Sequence, residues 1–221
     1  MNKRKNTALQ QRYLVSVILM IVVSAAFVMF LYVLADNTLS QPAVPTTDYN
    51  FTGKTAVEPA LAMPDFTLTS QDDEATRLSD LRGKPTLLFF GFTNCPDVCP
   101  TTMSDFRSIQ RSLGDDSDQV NFVFISVDGS RDTPDVLRDF FRVRGIEAGF
   151  YGLTGDPEKV RRIGADYGVV FEYDEPNASG AYNVSHTPSV FLLNANGEWV
   201  AEYAFGTDPT TLEADLRAML P

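Results

Sequence analysis

Cys95 and Cys99 lie four positions apart in a chain with no other cysteine, and His186 is its single histidine. Thiolate and imidazole are the soft and borderline ligands of protein chemistry, and a thiolate is also the nucleophile of disulfide exchange. Such a set points to a structural disulfide, a redox-active thiol pair or a metal site. A bridge across five residues closes a very short loop and stabilises little, which disfavours a purely structural disulfide. Two thiolates with one imidazole match a three-coordinate Cu(I) ion. Zinc generally takes a fourth ligand, and the sequence offers no obvious candidate. A lone histidine is most often an ordinary polar residue; what sets His186 apart is its conjunction with the cysteine pair.

The surrounding pattern positions these residues. Residues 85–93 (PTLLFFGFT) form a continuous apolar run, the mark of a strand buried on both faces. After the cysteines, Met103, Phe106, Ile109 and Leu113 recur at helical spacing, and Gly114 can end that helix. The CPDVCP run therefore falls where a buried strand gives way to a helix. Helix N-termini carry unpaired N–H groups and partial positive charge, which favour thiolate over thiol. Pro100 suits the first helical turn, and Asp97 between the cysteines opposes thiolate formation.

Further elements follow in alternation. Residues 120–127 (VNFVFISV) read as a second buried strand. Asp132-Thr133-Pro134 starts a helix, with Asp132 read as loop and cap, and with Val136, Leu137, Phe140 and Phe141 inward. Asp156-Pro157 opens another, with Val160, Ile163 and Tyr167 inward. Residues 189–193 and 199–204 flank the turn Asn194-Ala195-Asn196-Gly197 as a hairpin, and Asp208-Pro209 begins a last helix with Leu212, Leu216 and Leu220 on one side. Residues 64–81 read as an added hairpin. The order βαβα…αββα predicts an α/β, thioredoxin-like fold, a central mixed sheet with helices on both faces. In that fold the loop before 189–193 lies beside the start of the first helix, which brings His186 toward the cysteines.

Residues 14–35 are 22 positions without a charge, about 33 Å as a helix and long enough to cross a bilayer. Lys3, Arg4, Lys5 and Arg12 precede them and Asp36 follows. The positive-inside tendency then predicts a cytoplasmic basic segment at 1–13, a single transmembrane anchor at 14–35, and everything beyond on the extracytoplasmic, periplasmic side of the inner (plasma) membrane. A cleaved signal peptide is the competing reading, although a cleavable apolar region usually spans only about 7–15 residues. Residues 36–60, punctuated by Pro, Thr and Asn, read as a flexible tether of about 80 Å when extended, leaving 61–221 as one domain. Beyond the anchor the chain carries 14 basic and 29 acidic side chains, a net of −15, which argues against nucleic acid as a partner.

Three runs, GFTNCPDVCPTTM, FISVDGSRDTP and YNVSHTPSVFLLNANGEWV, resemble the signature regions of the Sco/SenC family, in order and at fitting separations. The resemblance spans roughly 60–221, and CPDVCP is highly specific to that family. It implies a copper metallochaperone that binds one copper, as Cu(I) or as Cu(II), through Cys95, Cys99 and His186. It also implies delivery of that ion to the dinuclear centre of cytochrome c oxidase subunit II. Asp128 and the Arg131–Pro134 run match the family's second motif and are expected to support the site.

Two features depart from or extend the pattern. The family commonly has Asp just before the histidine, where this chain has Ser185. Thr187-Pro188 resembles the Thr-cisPro element of thioredoxins. Both raise the standing of a second function, a membrane-anchored thiol–disulfide oxidoreductase in which Cys95 and Cys99 keep the acceptor's cysteines reduced. A peroxidase reading, prompted by Val98-Cys99-Pro100-Thr101, is disfavoured because Pro96 occupies the position where a peroxide-binding Thr is needed. Tyr182, Asp97 or water could complete a Cu(II) shell.

Overall fold

A computed structural model describes residues 20, 23–24, 27–29, 55–146 and 148–220. The chain divides into two units, 1–46 and 47–221. In the first, Met20, Val23, Ser24, Phe27, Val28 and Met29 are helical and exposed, and the Ser24 hydroxyl donates to the Met20 carbonyl at 2.9 Å. Most of the expected anchor at 14–35, and of the segments flanking it, lies outside the described residues. Among those described, no helix is long and apolar enough to cross a membrane.

The second unit is built on ten strands among the described residues: β1 (Thr55–Ala62), β2 (Thr67–Ser70), β3 (Ala75–Arg77), β4 (Thr86–Gly91), β5 (Asn121–Ser126), β6 (Phe150–Thr154), β7 (Phe171–Tyr173), β8 (Val184–His186), β9 (Val190–Leu193) and β10 (Glu198–Tyr203). Four α-helices accompany them among the described residues: α1 (Val98–Leu113), α2 (Pro134–Arg142), α3 (Pro157–Asp166) and α4 (Pro209–Met219). Eight strands form one mixed sheet in the order β1-β10-β9-β4-β5-β6-β2-β3. β4, β5 and β6 run parallel, and β9 lies antiparallel to β4. β7 and β8 form a separate antiparallel pair, with His186 opposite Phe171.

β4 and β5 are buried along their whole length, as a strand covered on both faces must be. Alternation sends neighbouring rings opposite ways. Phe89 meets Phe124, which packs on Phe140 and Phe141 of α2. Phe90 meets Tyr167, at the end of α3, and Phe191 of β9. Helices therefore cover both faces, and the expected thioredoxin-type layout is present.

Several local expectations need correction. β1 pairs with β10, so residues 55–60, read as tether, belong to an edge strand. Thr133 caps α2, its hydroxyl accepting from the Val136 N–H, so Asp132 is free for another task. Val136 is 38% exposed and so does not face the core. The Thr187–Pro188 bond, whose isomer the sequence leaves open, is trans; the cis peptide among the described residues is Glu58–Pro59. β6, β7 and β8 were not anticipated.

Candidate metal centre

β4 ends at Gly91 and the chain turns through Phe92, Thr93 and Asn94 to Cys95, whose N–H donates to the Phe92 carbonyl at 3.3 Å. α1 begins at Val98. Asp97 occupies the cap position without a side-chain capping bond. Instead the Cys99 N–H, one of the helix's unpaired donors, points at Cys95 Sγ at 3.4 Å. The sulfur thus does what a capping oxygen usually does, and the helix terminus fixes the exposed thiol relative to the buried one. Cys95 is half-buried, Cys99 fully buried, and both are free thiols.

His186 closes β8 and reaches the same place. Its Nε2 lies 3.5 Å from Cys99 Sγ, and its Nδ1 lies 3.1 Å from the Thr187 carbonyl oxygen. A carbonyl only accepts, so Nδ1 carries the proton and the Nε2 lone pair faces the sulfur. Thr187 is held in turn: its N–H donates to the Val170 carbonyl and its hydroxyl accepts from the Val170 N–H. Phe89 and Phe92 stand edge-on to the imidazole, with ring centroids 5.8 and 5.9 Å away. The three donor atoms lie within 4.8 Å of one another. An ion with bonds of about 2.0–2.3 Å in a trigonal site sets its ligands roughly 3.5–4 Å apart, so the donor set fits one soft ion after a small contraction.

The electrostatics qualify the expectation of a ready thiolate. Burial pushes the Cys99 thiol well above its usual range, and the nearby Cys95 and Asp132 push the same way. Desolvation outweighs the opposing hydrogen bond to the Phe92 backbone. Burial also lowers the pKa of His186, opposed by its bond to Thr187. The imidazole is therefore neutral at pH 7, and an ion arriving at the pocket would have to displace the Cys99 proton.

Asp132 has a different part from the one its sequence position suggested. Fully buried, its carboxylate accepts from the Thr93 N–H (2.9 Å), the Thr93 hydroxyl (2.6 Å) and the Ser126 hydroxyl (2.6 Å). It fastens the loop that carries Cys95 to the end of β5. Asp128 is equally buried and accepts from the Tyr182 hydroxyl at 2.8 Å and from Arg131 Nε. Tyr182 therefore spends its hydroxyl on Asp128 rather than on a metal. Asp97 and Ser185 are exposed. Gly91 escaped the sequence reading altogether: a β-carbon there would collide with the Cys99 sulfur. A glycine at the last position of an otherwise apolar buried strand was the available signal.

Fold and donor set together define a thioredoxin-type α/β protein with a two-thiol, one-imidazole pocket. Residues 54–221 match the model of the SCO1/SenC family, and the chain belongs to that family. It is similar to the copper-bound structure of ScoI from Bradyrhizobium japonicum, at 36% identity and a TM-score of 0.65, over 72% of this chain and 99% of that one. The apo Sco1 solution structure from Thermus thermophilus matches at 33% identity and a TM-score of 0.67, over 79% of this chain and 99% of that one. An SCO2-like protein of Rickettsia felis is 31% identical over 150 residues, 66% of this chain and 70% of its own length.

Proposed function

We propose that this protein carries one copper ion on Cys95, Cys99 and His186 and passes it to the dinuclear copper centre of cytochrome c oxidase subunit II. The observation that carries this reading is the convergence of the three donor atoms within 4.8 Å, with the imidazole proton on the far nitrogen. The copper-bound state of the Bradyrhizobium relative supports the choice of ion. The acceptor follows from the family resemblance. The basic residues before 14–35 and the apolar run itself support a membrane-anchored protein whose domain works outside the cytoplasm.

Transfer in this scheme is ligand exchange. Each Cys–Cu bond is replaced by an acceptor thiolate–Cu bond, the His186–Cu bond breaks as the acceptor's own ligands close round the ion, no electron moves, and a proton from an acceptor thiol returns to Cys99. The preference of the buried thiol for its protonated form favours release once an acceptor engages.

A second reading is favoured by the free thiols, one half-exposed over one buried. The Cys95 thiolate attacks a disulfide in the acceptor and expels one acceptor thiolate. Cys99 then displaces the other, leaving a Cys95–Cys99 disulfide and an acceptor reduced by two electrons. An external dithiol must reset the pair.

A Cu(I) titration of the reduced protein against a chromogenic chelator tests the proposal, with His186→Ala in parallel. One copper per chain, weakened tenfold or more by the substitution, is the expected result. Equal affinity of the two proteins overturns the three-ligand reading, and a failure to compete for copper makes thiol exchange the main activity.

A further inference from the structure

The two halves of the candidate site sit on different foundations. Cys95 and Cys99 stand at the β4–α1 junction of the eight-stranded sheet. His186 stands on the β7–β8 pair, which shares no strand pairing with that sheet. Something other than backbone pairing must set the distance between them.

The loop at 127–132 touches both. On the cysteine side, Asp132 grips Thr93, two residues before Cys95, through both its N–H and its hydroxyl. On the histidine side, Asp128 accepts from the Tyr182 hydroxyl, and Arg131 Nη1 donates to the Tyr182 carbonyl at 2.9 Å. The Arg131 guanidinium lies on the Tyr182 ring, 3.6 Å from its centroid, while its Nε donates to Asp128. The Tyr173 hydroxyl donates to the Val127 carbonyl, and the Tyr173 and Tyr182 rings meet edge to face. Arg161 of α3 holds one end of the pair, donating to the carbonyl of Phe171, the residue opposite His186, at 2.8 Å. The other end, where Tyr173 pairs with Val184 and Tyr182 leads into β8, is held by the loop.

We propose that the 127–132 loop is a joint that clamps the histidine arm to the cysteine arm, with Arg131 and Tyr182 as positioning residues that set where His186 meets the two sulfurs. The inference rests on the reading of His186 as a copper ligand. The two grips differ in character. Asp132 is sealed in the core, so the cysteine arm is fixed. Asp128 is sealed in the core as well, while the Arg131 side chain that spans the histidine grip is 25% exposed. Ligand position is then governed by a stacked guanidinium and a phenol that never touch the ion, as outer partners commonly govern metal ligands.

The test is a double-mutant cycle on the full-length reduced protein, read as Cu(I) affinity by chelator competition. Tyr182→Phe removes the hydroxyl bond to Asp128 and keeps the ring; Arg131→Lys keeps the charge and removes the fork. Each is expected to weaken Cu(I) roughly three- to tenfold, the scale of one ordinary hydrogen bond. Neither should weaken it further in a His186→Ala background, and the Cys95–Cys99 reduction potential should not move. A merely structural role would lower affinity equally in both backgrounds, and that result overturns the joint. So does wild-type affinity in both Tyr182→Phe and Arg131→Lys while His186→Ala is impaired, which leaves the copper reading standing. If His186→Ala itself binds like the wild type, the ligand reading fails and the positioning role falls with it.

Discussion

Gly91 and Cys99 are in contact across the strand-to-helix junction: a β-carbon built on Gly91 would lie 2.8 Å from the Cys99 sulfur. It would also lie 2.7 Å from Phe89 and 2.9 Å from Phe124. Gly91→Ala therefore has nowhere to put a methyl group without moving a thiol and two core rings. Overpacking of this kind costs about 1–3 kcal/mol. The expected outcome is a lower urea midpoint at unchanged m-value, together with weaker Cu(I) binding. A variant as stable as the wild type, with full copper affinity, would show that the sulfur is free to shift.

The depth of Cys99 predicts an order of modification. A thiol reacts as its thiolate, and burial holds Cys99 in the protonated form. Iodoacetamide at pH 7–8, followed by peptide mass mapping, should label Cys95 first. The rate at Cys99 should climb about tenfold per pH unit, because every pH in that range lies below its raised pKa. Equal labelling of both residues at pH 7 would contradict this.

Asp132→Asn is the sharpest probe of the cysteine loop. Three donors converge on the carboxylate, and an amide must turn its NH2 toward one of them. The expected loss is about 1–3 kcal/mol, measured by urea unfolding. Burial raises the Asp132 pKa against the opposing bonds from Ser126 and Thr93. Its contribution is therefore complete below the ordinary carboxylate pKa and is lost as pH rises through the raised folded value. The Asn variant does not titrate and should lack that decline; an identical pH profile in both proteins would count against the assignment.

Tyr203→Phe separates stability from the site. The Tyr203 hydroxyl donates to Asp215 at 2.7 Å, and both residues are fully buried between β10 and α4. Removing a hydrogen bond to a buried carboxylate costs about 1.5–3 kcal/mol. The thermal midpoint should fall while Cu(I) stoichiometry and affinity at 25 °C stay unchanged. A parallel loss of copper would mean that stability and the site are not separable in this way.

Much of this arrangement was legible in the residues. PTLLFFGFT and VNFVFISV announce strands covered on both faces, and the apolar spacing after CPDVCP announces α1. That pattern, together with the family signatures, was enough to bring His186 to the cysteines. What was not legible was short or carried by tertiary contacts. β7 and β8 have three residues each, too few to show a period, and β8 is defined by its partner rather than by its own composition. β6 includes Gly152, whose small size makes room for the Phe141 ring, and that glycine breaks the apolar run. β1 is exposed at nearly every position, so it reads as linker until β10 supplies its hydrogen bonds. Asp132 looked like a helix cap because Asp before Thr-Pro usually is one. Its true partners, Thr93 and Ser126, are 39 and 6 positions away, and only one of those separations is local enough to suspect.

The 87 positions between Cys99 and His186 have a thermodynamic consequence for any ion held there. Two cysteines four positions apart remain neighbours in an unfolded chain, where closing so small a ring costs about 1 kcal/mol beyond a constant. Bringing in the imidazole means closing a loop of 87 positions, which costs about 4 kcal/mol on the same scale. The thiol pair is thus a chelate that the primary structure supplies, whereas the third donor is brought in only by the native state. Retention of the ion, beyond what two thiols alone can manage, becomes a direct report of whether the domain is folded.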